Sequence, residues 1–193
     1  MDGLKRHIQI LKEEPKLKIL VTGANGYLGQ GIVRSILNNG HCVVATDFNT
    51  QFVDERAERI ACNLFEVDNP YSFFGEPDVL LHLAWRDGFV HYSSAHIDDL
   101  PKHYAFIKKM VDGGIQQVAV MGSMHEIGFF EGSINESTPC HPTTPYGIAK
   151  NALRDLTQMI CKQKILCSSG YVAIILLVIL SLAVQYSQRL QRP

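Results

Sequence analysis

Tyr146 and Lys150 stand four residues apart in the run Tyr146-Gly147-Ile148-Ala149-Lys150. On a helix that spacing puts both side chains on one face. An ammonium beside a phenol favours the phenolate and lowers its pKa, which makes a proton donor and acceptor usable near neutral pH. Ser123 follows the apolar run Gln117–Met121, at the carboxyl edge of a strand, where ligands of parallel sheets bind.

A second constellation lies near the start of the chain. Thr22-Gly23-Ala24-Asn25-Gly26-Tyr27-Leu28-Gly29 spaces its glycines as G-x-x-G-x-x-G between a β-branched run and a helical pattern. Glycines at such a junction allow a tight turn, let a pyrophosphate approach the backbone, and let helix pack closely on strand. Asp47 ends the next apolar run, 24 residues after Gly23. A carboxylate there accepts hydrogen bonds from ribose hydroxyls and repels a 2′-phosphate, which favours NAD over NADP.

These groups need a scaffold that brings distant segments together, and the pattern supplies one. Leu17–Thr22, His41–Asp47, Arg59–Cys62, Asp78–Ala84 and Gln117–Met121 read as strands, the third weakly. Helices are expected over Gly26–Leu37, ending at Asn38-Asn39-Gly40, and over Ala95–Val111, where Pro101 interrupts the helix or marks a restart. A last helix opens at Thr144-Pro145 and runs to about Gln163. Strands alternating with helices imply an α/β fold, a Rossmann-like doubly wound parallel sheet.

Composition narrows the classes further. The 193 residues carry 18 basic and 19 acidic side chains, a formal net charge of −1, so a dedicated nucleic-acid binder is not expected. Five cysteines form no C-x-x-C pair, and eight histidines make no metal-ligand spacing, so no metal site is expected and the thiols read as reduced, cytoplasmic ones. The N-terminal stretch is broken by charges, unlike a signal peptide, and Leu4, Ile8 and Leu11 read as one face of a short amphipathic helix.

Thr22–Gly29, Asp78–Ala84, Ser123 and Tyr146–Lys150 together resemble the extended short-chain dehydrogenase/reductases, the NAD-dependent epimerase/dehydratase family. The resemblance covers about Leu17 to Cys161. It implies that Ser123 orients a substrate oxygen, that Tyr146 exchanges the proton, and that Lys150 binds the nicotinamide ribose and tunes the tyrosine. Hydride would pass between NAD and a carbon of a nucleotide-activated sugar. The cofactor would lie against Gly23, Asn25, Gly26, Tyr27, Leu28, Gly29, Asp47, Asn63, Leu64, Leu83, Ala84, Trp85, Tyr146 and Lys150. Asn63 stands where the family often has an aspartate facing adenine, and Trp85 reads as an apolar plug beside the cofactor. Arg86 reads equally as a phosphate contact or a surface arginine, and His125 and Glu126 as pocket or plain loop residues.

Met124 and His125 occupy the positions of the two acids that perform elimination in the family's 4,6-dehydratases, so dehydration is not expected. Trp85–His91, Asp98–Tyr104 and Met121–Gly128 look like the branch of dTDP-4-dehydro-6-deoxyglucose reductases and nucleotide-sugar epimerases of polysaccharide biosynthesis. Reduction of a 4-keto-6-deoxy sugar and 4-epimerisation both remain open, and the family's frequent homodimerisation makes a second copy a candidate partner.

The end of the chain departs from this pattern. Residues 1–16 read as an N-terminal extension, 17–163 as the NAD-binding domain and 164–193 as a non-family tail. Tyr171–Val184 is an uncharged run of 14 residues followed by Arg189 and Arg192, shorter than the roughly 20 that span a bilayer. One expectation is a membrane anchor. The other is a shifted reading frame, since synonymous codons from Ala173 to Gln191 permit the family-like string YYIVGNTQFGSSIFSKIT. On that second reading most of the sugar-binding domain is missing, and a truncated chain with little or no turnover, a remnant that only binds cofactor, is the alternative to an active enzyme.

Overall fold

The computed structural model describes residues 15–135, 137–165 and 172–176. The expected N-terminal helix and most of the tail lie outside the described residues, as does the choice between anchor and shifted frame. The described elements are β1 (Lys18–Thr22), α1 (Tyr27–Asn38), β2 (Cys42–Asp47), β3 (Glu58–Ala61), α2 (Pro70–Phe73), β4 (Val79–His82), α3 (Ala95–Gly113), β5 (Gln117–Met121), α4 (Pro145–Ile165) and β6 (Val172–Leu176). The sheet is parallel throughout, in the order β3-β2-β1-β4-β5-β6.

The central strands are continuous apolar runs because both faces of the sheet are covered. Along β1 the side chains alternate between two cores. Leu20 joins Val44, Leu80, Val118 and Val120 against Phe106, Ile107, Met110 and Leu153 of α3 and α4. Ile19 and Val21 face the other way, with Val43, Ala45 and Leu81 against Val33 of α1. Each fully buried aliphatic side chain contributes roughly 1.5–3 kcal/mol.

Two segments differ from the sequence expectation. α3 runs unbroken through Pro101. Pro101 and Ile97, whose carbonyl loses its donor, are both exposed, so water satisfies that carbonyl while the opposite face stays packed. Within the segment expected to lie outside the fold, Val172–Leu176 pairs in register with Gln117–Met121 and extends the sheet by one strand. An uncharged β-branched run suits that place in a parallel sheet. Among the described residues no helix is long and apolar enough to cross a membrane.

Candidate active site

β1 pairs with β2 on one side and β4 on the other, so the chain reverses its winding direction at the carboxyl ends of β1 and β4, the usual place for a ligand crevice. A cleft of about 480 Å³ opens there. It is lined by Gly23, Gly26, Asp47, Asn63, Leu64, Leu83, Ala84 and Trp85 from the expected set, with Phe48, Cys62, Phe65, Arg86, Asp99, Lys102 and His103. Gly23 has φ +69°, and a Cβ on it would stand 2.7 Å from the Ala84 backbone nitrogen. Glycine is therefore what lets the β1 turn press against the segment leaving β4. Gly29 is buried one turn into α1, against the Gly23 carbonyl.

Asp47 is held by its neighbours and still faces the cleft. Its Oδ2 accepts from the Asn25 backbone at 3.0 Å and its Oδ1 from the Phe48 backbone at 2.8 Å. The Asn25 side chain spans to the loop after β2, donating to Asn49 Oδ1 at 2.7 Å and accepting from the Phe52 backbone at 2.8 Å. Asn63 caps the turn Leu64–Glu66 by accepting from the Phe65 backbone, and its amide donates to Glu66. Tyr27 and Leu28, expected against the cofactor, are not among the residues that line this cleft; they border a separate shallow depression with Gln30 and Arg34. The N-terminus of α1 has no side-chain cap at Gly26, which leaves backbone N–H groups for an anion.

Trp85 joins the cleft to the residues of the first constellation. The Lys150 ammonium lies 4.0 Å from the centre of its ring, and the Tyr146 ring lies 6.2 Å away edge-on. Lys150 is 4% exposed and donates to the Met121 carbonyl at 2.9 Å. Burial pushes its amine down from 10.5 to about 7, against the pull of the Glu126 carboxylate. Burial also raises the Tyr146 phenol above its ordinary value, while a hydrogen bond from Ser123 lowers it and the Glu126 carboxylate raises it. Lys150 is not among the groups that shift the phenol, so in place of the lowering expected from the lysine, burial sets the direction.

Local geometry explains how Ser123 and Tyr146 meet. Ser123 caps the turn Met124–Glu126: its Oγ accepts from the His125 backbone and its own N–H donates to Glu126 Oε1 at 2.6 Å. Pro145 opens α4, and Thr144 Oγ1 accepts from the Gly147 backbone. Gly147 lies against the His125 carbonyl, where a Cβ would collide, so the first turn of α4 seats directly on the serine turn. The Tyr146 backbone N–H donates to the His91 carbonyl at 3.1 Å, tying the segment after β4 to the same place.

His91, His96, Asp99, Lys102, His103 and Arg154 at this site were not singled out from sequence, whereas Trp85, Arg86, His125 and Glu126 were. Trp85 Nε1 donates to His96 Nδ1 at 3.0 Å, and its ring stacks on His103 at 4.5 Å. His91 stacks on Tyr146 at 5.3 Å, and His125 packs on both. Burial and the neighbouring His91 lower the His125 pKa. Glu126, 1% exposed, pairs with Arg154 at 3.3 Å; it holds the serine turn rather than facing the cleft lining. Arg86 meets the Asp99 carboxylate at 2.8 Å, with Lys102 on its other oxygen at 2.7 Å. His96, Asp99 and His103 recur at three- and four-residue steps, so a polar stripe on the buried face of α3 was the available signal.

The sequence model of the NAD dependent epimerase/dehydratase family matches residues 19–175. Over 143 residues the chain is 41% identical to the dTDP-6-deoxy-L-talose 4-dehydrogenase (NAD(+)) of Aggregatibacter actinomycetemcomitans, covering 72% of this chain and 53% of that protein. Among solved structures, the UDP-Glc/GlcNAc 4-epimerase of Campylobacter jejuni superposes with a TM-score of 0.69 at 16% identity, over 83% of this chain and 53% of that one. The Bordetella bronchiseptica enzyme WbmG, solved in complex with NAD, gives 0.65 at 18% identity, over 85% and 54%. The chain spans about half the length of these relatives. With a match that begins in β1 and ends in β6, the chain belongs to the NAD dependent epimerase/dehydratase family.

Proposed function

We propose that the chain binds NAD and carries the proton-transfer residues for oxidation or reduction at C4 of a nucleotide-activated 6-deoxy sugar. One observation carries this reading. Trp85 lines the cleft that holds Asp47 and also touches Lys150 and Tyr146, so one continuous site joins an acid for a ribose to a buried acid/base pair. The residues fit a dinucleotide. The β1 turn is stripped of side chains where a pyrophosphate would approach, the first turn of α1 is uncapped, and the Asp47 carboxylate faces the cleft. That carboxylate also favours NAD over NADP.

NAD, when bound, supplies the hydride acceptor or, reduced, the donor. The chain's own residues manage the proton. Tyr146 gives its phenolic proton to the sugar oxygen in reduction and is left as phenolate; in oxidation it starts as the phenolate, a form that burial makes costly, and takes the hydroxyl proton. Ser123, hydrogen-bonded to the tyrosine, orients the same oxygen. Lys150 carries its positive charge beside the site below about pH 7, where burial makes that charge costly, and is a neutral amine above it. The rings of His91, His96 and His125 pack around the Tyr146 ring, which stays partly exposed.

The relative with a 4-dehydrogenase name points to a dTDP-linked deoxytalose as the sugar to try first. The test titrates NAD into the 193-residue chain, following the fluorescence of Trp85, and then adds dTDP-6-deoxy-L-talose while NADH absorbance is recorded. NADH formation that is lost in Tyr146→Phe, with NAD affinity retained, is the expected result. NAD binding without any NADH formation would overturn the reading in favour of a module that only binds cofactor.

A further inference from the structure

Thr22, His82 and His103 form a hydrogen-bonded chain that runs from the core of the sheet to the cleft. Thr22 is fully buried at the end of β1, and its Oγ1 accepts from the Ala84 backbone at 3.3 Å. The same oxygen lies 2.8 Å from His82 Nδ1, and His82 Nε2 lies 2.8 Å from His103 Nδ1. His82 and His103 are 1% and 2% exposed. Burial pushes both pKa values down, His103 to about 3, so both rings are neutral and each carries a single proton.

The position of each proton follows from the donors and acceptors. The acceptor that the structure gives the Thr22 hydroxyl hydrogen is His82 Nδ1, so that nitrogen is bare. The proton of His82 then sits on Nε2 and is donated to His103 Nδ1. His103 is left with its own proton on Nε2, the nitrogen that makes no hydrogen bond within the described residues. Its ring lines the cleft and is clamped between Trp85, stacked at 4.5 Å, and the edge of Phe65 at 4.8 Å. The nearby cations Arg86 and Lys102 are already paired with Asp99, which leaves His103 as an uncharged donor on that wall.

We propose that His103 is a tautomer-locked N–H donor that binds an acceptor oxygen of the dinucleotide, with Thr22 and His82 as the positioning residues that set the lock. The ligand assigned here rests on the NAD reading above; the lock itself does not.

Isotope-labelled histidine NMR on the unsubstituted chain tests the lock directly. His82 and His103 should both appear as the Nε2–H tautomer and stay untitrated across the range of about pH 5.5–8 in which an ordinary histidine changes charge. NAD should move the His103 Nε2 resonance. By calorimetry, His103→Phe should weaken NAD binding about tenfold, the worth of one hydrogen bond to a ligand. Thr22→Val should give mixed tautomers at both rings, and Thr22→Ser should restore the single one. An Nδ1-protonated or titrating His103 overturns the proposal. So does a His103 resonance that stays put, or an affinity unchanged in folded His103→Phe, while NAD binds. Failure of NAD to bind the unsubstituted chain with the tautomers as stated overturns instead the functional reading and the ligand named here.

Discussion

Lys150→Met isolates the cost of burying one amine. The side chain is 4% exposed, and burial takes its pKa from 10.5 to about 7. A base with a lowered folded pKa releases its proton on folding, so between about 7 and 10.5 the unfolded chain binds more protons and stability rises with pH. The penalty is fully present below about 7 and absent above 10.5. From these values burying the amine costs about 5 kcal/mol near pH 6, where it is charged, and about 2 kcal/mol near pH 9, where it folds by giving up its proton. Methionine keeps the length and apolar stem and removes the titration, but leaves the Met121 carbonyl without its donor, a loss of about 1–3 kcal/mol at every pH. The variant should therefore be the more stable protein near pH 6 by about 2–4 kcal/mol, and this advantage should shrink by about 3 kcal/mol by pH 9. Urea unfolding of both proteins across that range, followed by circular dichroism, measures the difference. A gap that stays constant with pH, or a variant less stable at pH 6, would refute the reasoning.

Two further substitutions probe the cleft and the serine turn. Asp47→Ser removes the carboxylate expected to repel a 2′-phosphate, so calorimetry should show the preference for NAD over NADP relaxed by about tenfold; it should also cost about 1 kcal/mol as the Asn25 and Phe48 N–H groups lose their acceptor. Gly147→Ala sets a methyl against the His125 carbonyl, and melting curves should show a loss of about 1–3 kcal/mol, with NAD affinity retained and any NADH formation slowed.

β1, β2 and β4, and β5 to the residue, were legible because each is an apolar run between clear breaks, whereas β3, an exposed edge strand that holds Glu58 and Arg59, read only weakly. Both constellations were legible because their spacing is local: a turn of glycines, and a tyrosine and lysine one helical turn apart. Three features were not. α3 passes through Pro101 because only its solvent face needs to give, which a local helix rule does not register. Lys150 spends its charge on Trp85 and the Met121 carbonyl, partners far away in the chain, so the pairing with Tyr146 implied by spacing does not set the phenol's pKa. His82 ends β4 while His96 and His103 share one face of α3, so only the packing of α3 on the sheet shows the three to be one cluster.

The central place of β1 in the sheet also orders the events of folding. Its pairing with β2 closes a loop of 24 residues, Lys18 to Cys42, whereas its pairing with β4 closes one of 60, Ile19 to Val79. By loop-closure entropy the first costs about 2.8 kcal/mol and the second about 3.6 kcal/mol. The unit β1-α1-β2 can thus assemble as soon as Asp47 has been made, and it already contains the glycine turn and the acid. The opposite wall, with Trp85, Ser123 and Tyr146, is added only when β4, β5 and α4 dock. A nascent chain on the ribosome would own the wall of its cleft that holds Gly23 and Asp47 about a hundred residues before the wall that holds Tyr146.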